Sequence, residues 1–223
     1  MADDSKANLV YFNGRGCGEG TRIIMAAAGI EFTETFVTTN EQLEKYRKDG
    51  DLLFMQIPML EIDGMKIVQS QAIIRYIAKK HGLAGATPQE NLRVDILNEG
   101  AREFLWDFIL IGFTSNDEEH YEKIKTQTFP RYLPIYEKIL AESTSGYLVG
   151  DVLTVADLTL LEALLSADDY LPGSLDGYPK VQEFKNKISS LPRIEAYLQG
   201  PQRKPKNSPE YVTECYRIRG LIQ

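Results

Sequence analysis

Two hydrophobic periods share this chain, and the point where one of them stops constrains the fold more than any other feature. Through the first eighty or so residues, apolar positions recur alternately every second residue and every third or fourth, as when strands and helices take turns. "ANLVYFN" reads as a buried strand and "EGTRIIMAAAG" as a helix closed by Gly29. "EFTETFV" alternates apolar and polar residues with β-branched enrichment, so it reads as a second strand; "NEQLEKYRKDG" has the cap, charge pairing and terminal glycine of a short helix. "MLEIDGMKIV" is two apolar runs joined by Asp63-Gly64, a hairpin signal because a type I′ turn wants positive φ at both central positions. "SQAIIRYIAKKHG" offers Ser70 as a cap, an apolar face of Ile73, Ile74, Ile77 and Ala78, and Lys79, Lys80 and His81 at the negative end of the helix. The order is βαβαββα.

Strand signals end at "GLAGATPQEN", Gly82 to Asn91, which is small, polar and contains Pro88, and therefore reads as a linker. Helical patterns follow: "LRVDILNEGAREFLWDFIL", "EHYEKIKTQTFPRYLPIYEKIL", "TVADLTLLEALLSADDY", "VQEFKNKISS" and "PEYVTECYRI". The expected division is an α/β domain over residues 1–84 and an all-helical domain over 85–223, and 223 residues suffice to bury both cores. Thr154-Val-Ala-Asp157 is a capping-box start with Leu153 and Leu158 at staple positions, and the apolar run after it marks a buried folding element.

Composition narrows the function. A net charge of −7 repels nucleic acid, and the one basic cluster, Arg203 to Lys206, is short, broken by Pro205 and read as a solvated tail. No apolar run approaches the ~20 residues that span a bilayer, and the acidic start "MADDSKAN" does not read as an export signal, so the cytoplasm is the expected location. Cys17 and Cys215 lie far apart in sequence, which argues for free thiols and against a zinc site. No cofactor or metal is expected.

Three features invite chemistry. The glycines of "YFNGRGCGEGTR" fall at even spacing, 14, 16, 18 and 20, so neither a G-x-G-x-x-G nor a phosphate-loop register exists there, and a tight strand-to-helix turn is the better reading. His81 fits a helix end and His120 lies in the acidic "NDEEHYEK", where it reads as solvated; neither suggests a hydrolase triad. Trp106, beside Phe104, Leu105 and Phe108, reads as helix core.

Taken with Ile57-Pro58 before the third strand, the stretches "YFNGRG", "MAAAGIEF", "FMQIPMLEIDGMKIVQSQAIIRYIA", "RYLPIYEKIL", "YLVG" and "RKP" give a chain that resembles the cytosolic glutathione S-transferases, their alpha class above all, nearly end to end. The resemblance implies a thioredoxin-like N-terminal domain, a helical-bundle C-terminal domain, a homodimer, and conjugation of glutathione to hydrophobic electrophiles, with glutathione as co-substrate. It implies that the Tyr11 hydroxyl donates to the glutathione sulfur. Arg47 would bind the glycine carboxylate, Gln56 and Ile57 the cysteinyl backbone beside a cis Pro58, and Gln69 and Ser70 the γ-glutamyl end, with Arg131 and Glu103 approaching from the partner subunit. Phe12, Leu110, Ile111, Phe113, Tyr211, Val212 and Cys215 would line or border the electrophile pocket, Tyr211 standing where enzymes acting on lipid-derived enals carry a tyrosine.

The energetics fit one donor. A thiol of pKa about 8.5 is only ~3% thiolate at pH 7, and a shift of about 1.5 units is ~2 kcal/mol, within reach of one charge-assisted hydrogen bond of roughly 1.5–3 kcal/mol. The chain departs from the alpha-class pattern at Cys17, where a second arginine is usual; Arg15 matches the first, whose role reads as structural. Two alternatives stay open at this point: thiol-disulfide exchange through Cys17, and a non-catalytic crystallin or ligand carrier.

Overall fold

The structure, a computed structural model, describes residues 6–222; the acidic start read above falls largely on residues 1–5, outside them. Strand β1 (Ala7–Tyr11) is central to a four-stranded mixed sheet of order β2-β1-β3-β4. It pairs parallel with β2 (Phe32–Phe36) and antiparallel with β3 (Met59–Ile62), which turns through Asp63 and Gly64, both at positive φ, into β4 (Met65–Val68). Apolar clusters cover both faces of β1, hence the apolar run of Leu9, Val10 and Tyr11 after half-buried Asn8. Leu9 and Tyr11 enter the main core with Ile23, Ile73 and Ile77 of helices α1 (Glu19–Ala28) and α3 (Ser70–Lys80). Val10 points the other way, into a second cluster with Leu43 of α2 (Asn40–Lys48), Met59 and, from the far end of the chain, Ile218.

Element ends follow local chemistry. Gly29 closes α1 at φ 71°, donating to the Ala26 carbonyl at 3.0 Å, and Thr39 caps α2 in a reciprocal box with Gln42. Ser70 is not a cap: it is the first residue of α3, and Gln69 occupies the cap position at φ 72° with no side-chain cap on the helix. The linker is shorter than its composition suggests, because Thr87 caps α4 (Pro88–Ile109) and Pro88 opens it, the one helical position where a missing N–H costs nothing. The Val155 amide donates to Leu83 O at 2.8 Å and ties what remains of the linker down.

The helical half continues with α5 (Asp117–Lys123), a π turn over Ile124–Thr128, α6 (Phe129–Glu142), α7 (Val155–Tyr170), α8 (Pro179–Ser189), α9 (Pro192–Gln199) and α10 (Pro209–Ile218). The Asp157 carboxylate accepts from Thr154 N–H, Thr154 Oγ1 and Leu148 N–H, each at 2.8 Å, and Leu158 is buried with Leu153 packed on the same core. Sheet and helices share that core, since α1 packs on α7 and α9. Among the described residues no helix is long and apolar enough to cross a membrane.

Three further sequence readings are corrected. Arg203 and Lys204 are not a solvated tail: Arg203 pairs at 2.6 Å with both Glu19 and Glu162, and Lys204 lies 3.4 Å from Glu34 and over the Phe36 ring. Short basic runs read as solvated because their partners, on α1, α7 and β2, are remote in sequence. His120 is buried and donates through Nε2 to the Asp107 carbonyl at 2.7 Å. Trp106 is 40% exposed beneath the Arg102 guanidinium, because Phe104 and Phe108, one turn apart, take the inward face and leave it the outward one.

Candidate active site

The loop after β1 wraps one phenol. Tyr11 is buried, and its Oη accepts the Cys17 N–H at 2.9 Å from the 3-10 turn Gly16–Gly18. The even-spaced glycines make that possible. A Cβ on Gly16, itself at φ 39°, would lie 2.5 Å from Tyr11 Oη; one on Gly18 would lie 2.6 Å from the Tyr11 ring; one on Gly14 would lie 2.2 Å from the ring of Tyr211. Nothing lies within 4 Å of a Cβ on Gly20, which is simply part of α1. Burial, with Cys17 and Tyr211 adding to it, pushes the Tyr11 hydroxyl well above its ordinary pKa of 10.0, so it stays protonated at neutral pH. Its one hydrogen can be donated, with the Cys17 side chain as a competing partner.

Tyr11, Phe12 and Cys17 form one wall of a cleft of about 350 Å³, closed by Leu43 and Arg47 of α2, residues 54–57 ahead of β3, and Arg219 beyond α10. Arg47 is oriented by Glu44 at 2.6 Å and by donating from Nε to Met55 O at 3.0 Å. Met55 is at φ 58° and the Ile57-Pro58 bond is cis. Gln69 and Ser70 stand at the start of α3, where a strained backbone at Gln69 leaves first-turn amides without a side-chain cap.

Neither Gln69 nor Ser70 nor the remaining expected residues line this cleft. Ile111 and Val212 are buried and Leu110 is half-buried where α4 ends against α10; Asn207 joins them by donating to the carbonyls of Ile109 and Ile111. Tyr211 lies over Gly14, edge-on to Phe113 at 6.3 Å, its hydroxyl 3.3 Å from where a Gly16 Cβ would stand. Cys215 is buried one turn further along α10. Arg131 and Glu103 pair with each other at 3.3 Å across α6 and α4, in a separate hollow with Arg102 and Trp106.

Cys17 is half-buried, and burial pushes its thiol up despite the Arg102 charge and a hydrogen bond with Tyr11. A thiol held protonated is a poor nucleophile, and this one sits in the turn ahead of α1 rather than on the helix end. Arg15 is structural, donating to Lys204 O at 2.6 Å and pairing with Asp169. Sequence reasoning missed Leu43, Phe54, Met55 and Arg219 as cleft residues; Leu43 alone carried a signal, as the apolar position on a polar helix.

Residues 7–79 match the family model described as glutathione S-transferase, N-terminal domain, and residues 105–201 match glutathione S-transferase, C-terminal domain. The chain is 42% identical over 211 residues to glutathione S-transferase A4 of Mus musculus, covering 93% of this chain and 95% of that one. It is 42% identical over 217 residues to glutathione S-transferase alpha I of Oryctolagus cuniculus, covering 96% and 97%. The crystal structure of monomeric Na-GST-3 from the hookworm Necator americanus superposes with a TM-score of 0.77 at 33% identity, covering 87% of this chain and 97% of that one.

Proposed function

The chain belongs to the glutathione S-transferase family, and we propose from that premise that Tyr11 donates its O–H to the sulfur of bound glutathione, holding it as the thiolate that attacks a hydrophobic electrophile. The observation that carries this is the hydrogen bond Tyr11 already accepts from Cys17 N–H at 2.9 Å, which aims the phenol and leaves its proton to be given away. A raised hydroxyl pKa supports a donor and argues against a base.

Around that sulfur the tripeptide is read as follows. Its γ-glutamyl carboxylate meets Gln69, Ser70 and the uncapped amides of α3, where the helix dipole favours an anion. The cysteinyl backbone pairs with that of Gln56 and Ile57, and the glycyl carboxylate meets Arg47. The electrophile is read as lying against Phe12, which lines the cleft, and the Tyr211 hydroxyl as the group that would polarise the carbonyl of a lipid-derived enal; Leu110, Ile111 and Val212 stand outside the cleft. The reaction as read needs no resident cofactor. Two free thiols, Cys17 and Cys215, support a reducing, cytoplasmic setting and a detoxifying role there.

Arg131 and Glu103 lie off this cleft, which fits residues lent to a second copy. Exposed Leu53, Phe54, Met55, Met65, Leu92, Ile96 and Ile135 sit on the loop before β3, on β4, and on the two helices that carry that pair. We therefore read the protein as a homodimer; light scattering of wild type and Phe54→Glu should give a dimer and a monomer respectively, and a monomeric wild type that conjugates at full rate would remove this part of the reading. For the chemistry, Tyr11→Phe should cut kcat/KM with an aryl halide by roughly 10- to 150-fold, the equivalent of a 1.5–3 kcal/mol bond. An unchanged kcat/KM rejects the assignment.

A further inference from the structure

The tail helix ends on a cation whose charge reaches Cys215 but which no carboxylate among the described residues pairs with. Arg219, the first residue past α10, is exposed and lines the Tyr11 cleft together with Leu43 and Arg47 of α2. The two residues before it are held in place. Ile218 is buried against Leu43 and Met59, and its carbonyl accepts from Asn40 Nδ2 at 2.9 Å. Arg217 donates to Thr38 O at 2.7 Å while pairing with Glu214. Among the described residues the Arg219 guanidinium has neither an ion pair nor a hydrogen bond, whereas Arg217 and Arg47 each have a glutamate. A long, unpaired guanidinium carried on a fixed backbone at the mouth of a cleft is a preformed half of a carboxylate site.

We propose that Arg219 is a glutathione-binding residue that grips the glycyl carboxylate together with Arg47, so that the C-terminal segment contributes to tripeptide affinity. The inference rests on reading the cleft as the glutathione site. The cleft places the cation among residues read for the tripeptide: Arg47, Gln56 and Ile57 share it with Arg219, and of the residues read for the electrophile only Phe12 does. Two guanidiniums on one carboxylate also suit a chain of net charge −7, which otherwise repels an anionic peptide.

The test compares two peptides, glutathione and its glycinamide analogue, in which the glycyl carboxylate is an uncharged amide. Dissociation constants are measured by calorimetry on the full-length protein for wild type, Arg219→Ala, Arg219→Lys and Arg217→Ala. Arg219→Ala should bind glutathione about tenfold more weakly, the scale of one charge-assisted bond, yet bind the glycinamide as wild type does. Arg219→Lys should keep part of the affinity, and Arg217→Ala, which loosens the tail without touching the site, should affect the two peptides equally. If Arg219→Ala leaves glutathione affinity unchanged, or weakens both peptides alike, Arg219 has no role at the carboxylate while the glutathione reading stands. If wild type binds neither peptide, that reading falls and this inference falls with it.

Discussion

Three glycines follow Tyr11 closely because two aromatic rings occupy the space a methyl group would need. Gly16 and Gly18 pack on Tyr11 and Gly14 on Tyr211, so the loop is shaped to the phenols rather than to a phosphate. Gly16→Ala should displace the Tyr11 hydroxyl and lower kcat far more than it lowers stability. Gly20→Ala, facing open space in a helix, should leave kcat unchanged and be neutral or stabilising by up to about 1 kcal/mol. Steady-state kinetics beside denaturant midpoints for the two variants check this; equal effects would mean the spacing serves the turn alone. The even register was legible in the sequence and excluded nucleotide motifs. Its cause was not, because the ring over Gly14 comes from the opposite end of the chain. Tyr11 was legible as the donor through the resemblance, with Cys17 as the alternative, and burial and the direction of the Cys17 N–H bond support that order.

Elements were legible wherever local chemistry sets them. The hairpin at Asp63-Gly64, the stop at Gly29 and the start of α7 at Thr154 each follow from one or two residues. The α9 segment "PRIEAYLQ" was missed because eight residues give barely two turns of pattern, and its stability comes from docking Ile194 and Tyr197 into the shared core. Thr87 was hidden inside a stretch whose composition reads as linker. At the start of α7, burial raises the Asp157 carboxyl above its ordinary pKa, yet three donors converge on it. Asp157→Ala strands those buried donors and should cost about 2–4 kcal/mol, read from denaturant midpoints at constant m. A loss under about 0.5 kcal/mol, the level of an ordinary surface change, would show the cap to be dispensable.

At the scale of the whole molecule, one ionic cluster joins both halves and reaches the active-site loop. Glu19 of α1 accepts from Arg203 and Tyr197, Arg203 also pairs with Glu162 of α7, and buried Arg22 spans Glu34, Glu19 and the Gly14 carbonyl. The links that join the two halves were not legible in sequence, since Arg203 and Tyr197 lie far along the chain from Glu19, and Arg203 from Glu162. Removing Arg203 leaves two buried glutamates facing one another, and Arg203→Ala should cost about 3–5 kcal/mol at pH 7. Burial already raises the Glu162 pKa, with Arg203 opposing it, so the variant should raise it further. A carboxyl with a raised folded pKa favours the fold below its unfolded pKa and loses that advantage as pH rises through the folded value. The gap between wild type and Arg203→Ala should therefore narrow as pH falls from 7 toward 5, measured by chemical denaturation; a constant gap would contradict this coupling.

The central claim is that one phenolic hydrogen holds the charge of a guest sulfur, and the ultraviolet absorbance of the thiolate of bound glutathione, titrated against pH, reads that charge directly. Wild type and Cys17→Ser should titrate together, well below the ~8.5 of a free thiol, and Tyr11→Phe should move the midpoint up by about 1.5 units. A Tyr11→Phe curve lying on the wild-type curve, with Cys17→Ser displaced instead, would contradict the account.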